Sequence, residues 1–65
     1  MSKNFNPEII RLVKENGCYF VRHGKGDHDI WYSPITKRTF TIDGNIKSRM
    51  LANVIMKQSG INYHF

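Results

Sequence analysis

The sequence predicts a small α+β fold in which two helices flank three strands in the order α-β-β-β-α. Apolar residues recur at helical spacing near both ends of the chain, and three short runs between them are rich in aromatic and β-branched residues. Glycine or proline punctuates the boundaries. Because the connections are short, we expect a three-stranded antiparallel sheet with both helices on one face. At 65 residues the chain is expected to form a single domain, 1–65.

The first helix is expected over residues 7–16. Asn6 is a suitable N-cap residue, and Pro7 suits the first helical position. Gly17 is the usual signal for the end of a helix. The apolar face at helical spacing is formed by Ile9, Ile10, Leu12 and Val13.

Three strands are expected over residues 18–23, 28–33 and 38–42. The first two are separated by the glycine-rich stretch GKG, and the last two by the four-residue turn PITK. Side chains alternate between the two faces of a sheet. The residues predicted to line the covered face are Phe20, Ile30, Phe40 and Ile42.

The second helix is expected to begin at Ser48, a good N-cap residue, and to end at Gly60. Ile61 is expected to fold back on Met56 and complete a Schellman ending. The predicted apolar face consists of Met50, Leu51, Val54 and Ile55.

The charge balance is basic, with ten Lys and Arg against five Asp and Glu and a formal net charge of +5 at pH 7. In a small domain this points to an anionic partner, either nucleic acid or an acidic protein surface, with plain solubility as the alternative. So short a chain buries too little surface for a large enclosed cavity, and no cofactor is expected. The single cysteine, Cys18, excludes an internal disulfide and is expected to pack as a small hydrophobe.

The expected location is the cytoplasm. The N-terminal residues MSKNFNPE lack the apolar core of a signal peptide. No apolar run approaches the ~20 residues needed to cross a bilayer.

The polar residues around the glycine turn give a weak case for a metal. His23 and His28 flank the turn, with Asp27 and Asp29 nearby, but the spacing matches no standard ligand signature. Strand alternation also points His28 and Asp29 to opposite faces. No metal site is therefore expected.

His28 is the main candidate for chemistry. A histidine can accept or donate a proton near neutral pH, and positioned acid–base help is typically worth ~10²–10⁴-fold. RNA cleavage requires such a group beside cations that hold the backbone, although an ordinary polar residue at a strand edge is the alternative. The basic residues close to the two turns in sequence are Arg22, Lys25, Lys37 and Arg38.

Other polar and aromatic residues have two interpretations. Backbone amides of the GKG turn, together with Lys25, can hold a phosphate oxygen, or the turn is a plain connection. Trp31 either stacks on an unpaired base or packs in the core. Lys47 and Arg49, at the start of the second helix, either contact phosphates or form a solvated helix end.

Several stretches together resemble HicA-type toxins, the YcfA-like family. They are NG at 16–17, FVRHGKGDH at 20–28, IWYSP at 30–34 and IKSRMLANVIMKQSGI at 46–61. The distinctive family step of glycine, small polar residue and histidine reads Gly26, Asp27, His28 in this chain. The match runs over nearly the whole sequence.

The resemblance implies a fold similar to the double-stranded RNA-binding domain. It also implies an mRNA interferase that cleaves mRNA without a bound metal, with His28 as the catalytic residue. A HicB-type antitoxin is expected to bind the toxin and cover the site. The residues expected to contact RNA are Arg22, Lys25, Gly26, Lys37, Lys47 and Arg49.

Two departures from the family pattern bear on activity. The middle position of the motif is often serine and is Asp27 here, and the turn before Gly26 is one residue longer than in many members. An aspartate beside the histidine either orients it or repels RNA. The alternatives to an enzyme are a non-catalytic RNA-binding module of the same fold and a toxin-like remnant that only binds an antitoxin.

Overall fold

A computed structural model describes residues 3–65. Helix α1 spans Asn6–Glu15, strands β1, β2 and β3 span Tyr19–His23, His28–Ser33 and Arg38–Asp43, and helix α2 spans Arg49–Ser59. The strands form one antiparallel sheet in the order β1-β2-β3. The predicted fold class and element order are confirmed. Within the described residues, neither helix is long and apolar enough to span a membrane.

Buried apolar side chains of both helices and of one sheet face form a single core. The helices contribute Ile9, Leu12, Val13, Ala52, Ile55 and Met56, and the sheet contributes Trp31, Phe40 and Ile42. Both helices therefore cover the same face of the sheet, as predicted. The other face, which we call the open face, carries Tyr19, Arg22, His28, Ile30, Tyr32, Thr39, Thr41 and Asp43.

The prediction that Ile30 lies on the covered face is wrong, and the length of the second turn gives the reason. The four-residue turn at 34–37 pairs Ser33 with Arg38, so that Trp31 rather than Ile30 lies opposite Phe40. Trp31 is only 5% exposed. Paired residues of an antiparallel sheet share a face, and a shift of one residue exchanges the faces.

Phe20 lies on the covered face but at its margin. A bulge between Phe20 and Arg22 shifts the register of β1, and this pairs Phe20 with Trp31. Phe20 nevertheless stays 43% exposed, because α2 packs against β3 at the other edge of the sheet and neither helix packs extensively on β1. The other two residues predicted on this face, Phe40 and Ile42, are buried.

The start of α1 corrects the predicted cap. Asn6 is the first helical residue, and Phe5 precedes it without a side-chain cap. Oδ1 of Asn4 accepts instead, from the backbone N–H of Asn6 at 3.0 Å and from that of Ile46 at 2.9 Å. The Asn6 side chain is thereby free to donate to the carbonyl oxygen of Asp43 at 2.7 Å. The Asn6 side chain thus ties α1 to the end of β3.

The ends of α2 are as predicted. Oγ of Ser48 accepts from the backbone N–H of Leu51 at 3.2 Å. Gly60 ends the helix with φ of +78°. The backbone N–H of Ile61 donates to the carbonyl of Met56 at 3.1 Å, and both side chains are buried. These contacts confirm the predicted Schellman ending.

The buried face of α2 differs from the prediction. It consists of Ala52, Ile55, Met56 and Ser59. Met50 and Val54, which were predicted to be buried, are 77% and 41% exposed. Ala52 and Ser59 are fully buried, and such small side chains allow the helix backbone to approach the sheet closely. Helix α2 is therefore rotated about its own axis, and the side that packs on the sheet is not the predicted apolar face.

Candidate functional site

His28 begins β2 at the end of the sheet that carries the β1–β2 turn. Its register partner is Asp43, the last residue of β3. His28 lies two residues before Ile30 in β2, so both side chains point to the open face of the sheet. Its side chain is 49% exposed, which leaves the ring accessible from solvent.

Two carboxylates flank one nitrogen of this ring. Nε2 of His28 lies 3.5 Å from Oδ1 of Asp43 and 3.6 Å from Oδ1 of Asp27. Among residues 3–65 no side chain forms a hydrogen bond with the ring. The sequence reasoning missed Asp43, although the signal was present. The four-residue turn pairs Ser33 with Arg38. Five residues earlier in β2 and five residues later in β3, the same register pairs His28 with Asp43.

Backbone hydrogen bonds hold the turn that precedes His28. The N–H of His28 donates to the carbonyl of Lys25 at 3.2 Å, and the N–H of Gly24 donates to the carbonyl of His28 at 2.7 Å. The N–H of Gly44 donates to the carbonyl of Asp27 at 3.0 Å, which joins the turn to the segment after β3. Gly26 has φ of +65°, and a Cβ there would meet nothing within 4 Å. Hydrogen bonds therefore hold the turn on the side of His28 and Gly44, whereas the side at Gly26 is open.

Three of the predicted RNA contacts, Arg22, Lys25 and Gly26, lie in this turn or in the strand before it. Arg22 is on the open face, where its Nη1 donates to the His23 carbonyl at 3.4 Å, and Lys25 is exposed within the turn. Lys47 follows Asp43 by four residues, so it lies within ~14 Å along the chain. Arg49 is the first residue of α2, and like Lys47 it is exposed.

The match to a known family covers nearly all of the described chain. The family model described as HicA toxin of bacterial toxin-antitoxin matches residues 7–61. The chain belongs to the HicA toxin family. No curated protein and no solved structure matches it. This HicA-family chain is therefore a toxin of a toxin–antitoxin system, and such a system implies an antitoxin partner.

In this HicA-family toxin, Lys37 does not lie on the surface around His28. It belongs to the turn at 34–37, where it adopts φ of +60°, and this turn joins the far end of β2 to β3. Strand β2 has six residues, which separates the two ends by about 16 Å. Arg38 lies at the same far end. The structure does not bring either cation to His28.

A second histidine of the toxin lies on the opposite side of the sheet. Nδ1 of His23 is 2.8 Å from Oδ1 of Asp29, and this pair faces the same way as Ile42. His23 and His28 therefore do not converge, although they flank one turn. Within the described chain, no three His, Cys, Asp or Glu side chains cluster in an arrangement suited to a metal ion.

Burial decides between the two interpretations of Trp31 and confirms the expectation for Cys18. Trp31 packs in the toxin core, with its ring centroid 6.1 Å from that of Phe20, so it does not stack on a base. Cys18 is buried and behaves as a small hydrophobe, as predicted. Burial raises the pKa of its thiol, against a smaller opposing effect of a hydrogen bond with Ser33.

Proposed function

We propose that this HicA-family toxin is a metal-independent endoribonuclease that cleaves single-stranded mRNA, with His28 as the catalytic residue. The observation that carries the proposal is the exposure of the His28 ring on an uncovered sheet face, next to an open glycine turn. A proton-transfer group must reach the substrate without a barrier of protein around it. His28 satisfies this requirement.

The surroundings of His28 support contact with an RNA backbone. Backbone approach is easiest at Gly26, where no side chain intervenes. Positive charge is supplied by two exposed lysines, Lys25 within the turn and Lys47 four residues after the end of β3. Turn amides and lysine side chains are groups that commonly bind phosphate oxygens.

The proposed reaction is an internal transfer at phosphorus. His28 accepts the proton of a ribose 2′-hydroxyl, and the 2′-oxygen forms a bond to the adjacent phosphorus. The bond from phosphorus to the 5′-oxygen breaks, and that oxygen takes a proton from solvent. The products are a 2′,3′-cyclic phosphate and a 5′-hydroxyl. No metal is needed, because the nucleophile belongs to the RNA itself.

The carboxylates beside His28 have two opposing effects. Asp43 and Asp27 face Nε2, so they are placed to hold the ring when it carries the proton. The same charges repel the phosphate, and this cost is offset by the cations Arg22, Lys25 and Lys47. Asp27, in the middle of the motif, therefore helps to orient His28 and at the same time weakens RNA binding.

The antitoxin is proposed to be of the HicB type and to cover the open face around His28. Within residues 3–65 both helices lie on the other side of the sheet, and the toxin has a net charge of +5. An acidic protein surface is attracted by the same field that attracts RNA. RNA and antitoxin should therefore compete for the toxin.

The decisive experiment compares two histidine variants. His28→Ala should abolish cleavage of mRNA and growth arrest while leaving the thermal unfolding curve close to wild type, because the side chain is half exposed. His23→Ala is the matched control, since His23 flanks the same turn on the other face, and it should still cleave. Wild-type cleavage should survive an excess of EDTA.

Three outcomes would overturn the assignment. Cleavage by His28→Ala at the wild-type rate removes the catalytic role. Loss of activity in EDTA that a divalent ion restores makes the site metal-dependent. RNA binding by the wild type without any cleavage identifies a binding module instead. For the antitoxin, simultaneous and non-competing binding of RNA and antitoxin to His28→Ala protein would refute covering of the site.

A further inference from the structure

A groove of about 560 Å³ lies between the outer side of α2 and the C-terminal segment 61–65. Met50, Val54 and Lys57 form the helical wall, and Ile61 and Tyr63 form the other wall. The groove is separate from the open face, because α2 packs on the covered side of the sheet. Apart from Ile61, its lining residues belong neither to the buried core nor to the His28 site.

The second wall of the groove is held in place. The Schellman ending at Gly60 turns the chain back along α2. Asn53 then clamps Phe65, accepting from its backbone N–H at 2.7 Å and donating to its oxygen at 3.5 Å. The Phe65 ring also lies 5.2 Å from that of Phe5, edge to face. The groove is therefore preformed, which lowers the ordering cost of binding.

The exposed surface of the groove is mainly apolar, although Asn53, Asn62 and His64 also line it. Met50 is 77% exposed, Val54 is 41% exposed and Tyr63 is 40% exposed. Met50 and Val54 are four residues apart and so lie one above the other on the helix. Contiguous exposed apolar surface of this kind marks an interaction site, and methionine adapts readily to a partner surface.

The charge around the groove selects the partner. Residues 44–65 contain no Asp or Glu, whereas they contain Lys47, Arg49 and Lys57. None of these three cations forms an ion pair among residues 3–65. The complementary partner is therefore apolar on one side and acidic at its margins.

We propose that this groove binds an acidic amphipathic helix of the antitoxin, as an anchor separate from the His28 surface. The inference rests on the antitoxin partner of the proposed function. A helix is the occupant that fits, because anchors at helical spacing commonly lie in apolar grooves of this kind. The apolar walls favour a protein side chain over an RNA phosphate. Arg49 and Met50 are consecutive residues at the start of α2, so a partner seated in the groove also reaches a cation expected to contact RNA.

The first test measures affinity for the purified HicB-type antitoxin of the proposed function, with all toxin variants in the His28→Ala background. The double variant Met50→Gln/Val54→Gln should bind about tenfold more weakly or worse, because it removes the apolar anchors without adding charge. Val21→Gln is the matched control, since Val21 is 45% exposed on β1 and lies outside the groove. It should bind as the parent does.

A charge pair of variants tests the acidic margin. Lys57→Glu should weaken antitoxin binding severalfold, and more at low salt than at high salt. Lys14→Glu is the control, because Lys14 occupies the equivalent last turn of α1. Both assays measure binding alone, so they give an answer even if the chain proves not to cleave RNA. Wild-type affinity in both groove variants would overturn the proposal, as would failure of this antitoxin to bind the parent.

Methionine oxidation supplies an independent measurement. In the free toxin, peroxide should oxidise Met50 rapidly and Met56 slowly, since Met56 is only 1% exposed. The antitoxin complex should protect Met50 about tenfold, with Met56 as the internal reference. Equal oxidation of Met50 in both states refutes the proposal. A toxin dimer that the Gln double variant dissociates would refute it too, because the occupant would then be a second copy.

Discussion

Nε2 of His28 lies 3.5 Å from Oδ1 of Asp43, at the point where β2 begins and β3 ends. Loss of a half-exposed charge pair costs about 1 kcal/mol. Asp43→Asn should therefore reduce kcat for RNA cleavage by about fivefold, because an amide holds the protonated ring less well. KM should not rise, because the substitution also removes a charge that repels the phosphate, whereas a distorted site would weaken RNA binding as well.

The control for that variant is Asp29→Asn. Asp29 pairs with His23 on the other side of the sheet, at 2.8 Å, so its loss should leave kcat unchanged. An unchanged kcat in Asp43→Asn would show that Asp43 does not act through His28.

The position of the lysines predicts which of them contact RNA. Lys47→Ala should weaken binding across all sequences and reduce the salt dependence of log K by about 0.7, the share of one phosphate contact on a single strand. Lys37→Ala should change neither, because Lys37 lies at the far end of β2. Titrations of His28→Ala protein over a salt series measure both quantities. An equal loss in the two variants would contradict a localised RNA surface.

Alanine substitutions at two glycines distinguish the cost of backbone strain from the cost of a steric contact. Gly26 and Gly60 have φ of +65° and +78°, so alanine costs about 1 kcal/mol at either position from backbone strain. At Gly60 the new Cβ would also lie 2.8 Å from Cγ2 of Ile35 and 2.9 Å from Cγ2 of Thr36, whereas at Gly26 it meets nothing. Gly60→Ala should therefore lower the free energy of unfolding clearly more than Gly26→Ala. Urea unfolding measures the difference, and equal losses would contradict it.

Cys18 predicts how stability depends on pH. Burial raises the pKa of its thiol, so the folded state holds this proton more tightly than the unfolded state. The resulting stability is complete below the ordinary pKa of a thiol and is lost as pH rises through the raised value. The unfolding free energy of the wild type should therefore fall more steeply on the alkaline side than that of Cys18→Ala. Parallel curves from denaturant unfolding at each pH would contradict this.

Local signals were sufficient for the elements of the fold. Ser48, Gly17 and Gly60 mark helix ends through backbone geometry that depends only on neighbouring residues. The aromatic and β-branched runs likewise predicted each strand to within one residue. These features are encoded within a few positions of the chain, so sequence reasoning could recover them.

Side-chain orientation required information from more distant parts of the chain. Ile30 and Trp31 are both apolar, and only the pairing with β3 decides which of them faces the helices. The rotation of α2 depends on Ala52 and Ser59, which carry little hydrophobicity but permit close packing. The candidate site followed the same pattern, because His28 was evident from its motif while Asp43 becomes its neighbour only through the register.

The turn at 34–37 has a genetic consequence. Its length sets which residue of β3 lies opposite His28, although the turn is about 16 Å from that histidine. Adding or deleting one residue there would move Asp43 out of place and exchange the two faces of β3. Cells selected to survive expression of this toxin should therefore accumulate single-codon insertions and deletions at 34–37, although no residue of that turn belongs to the His28 site.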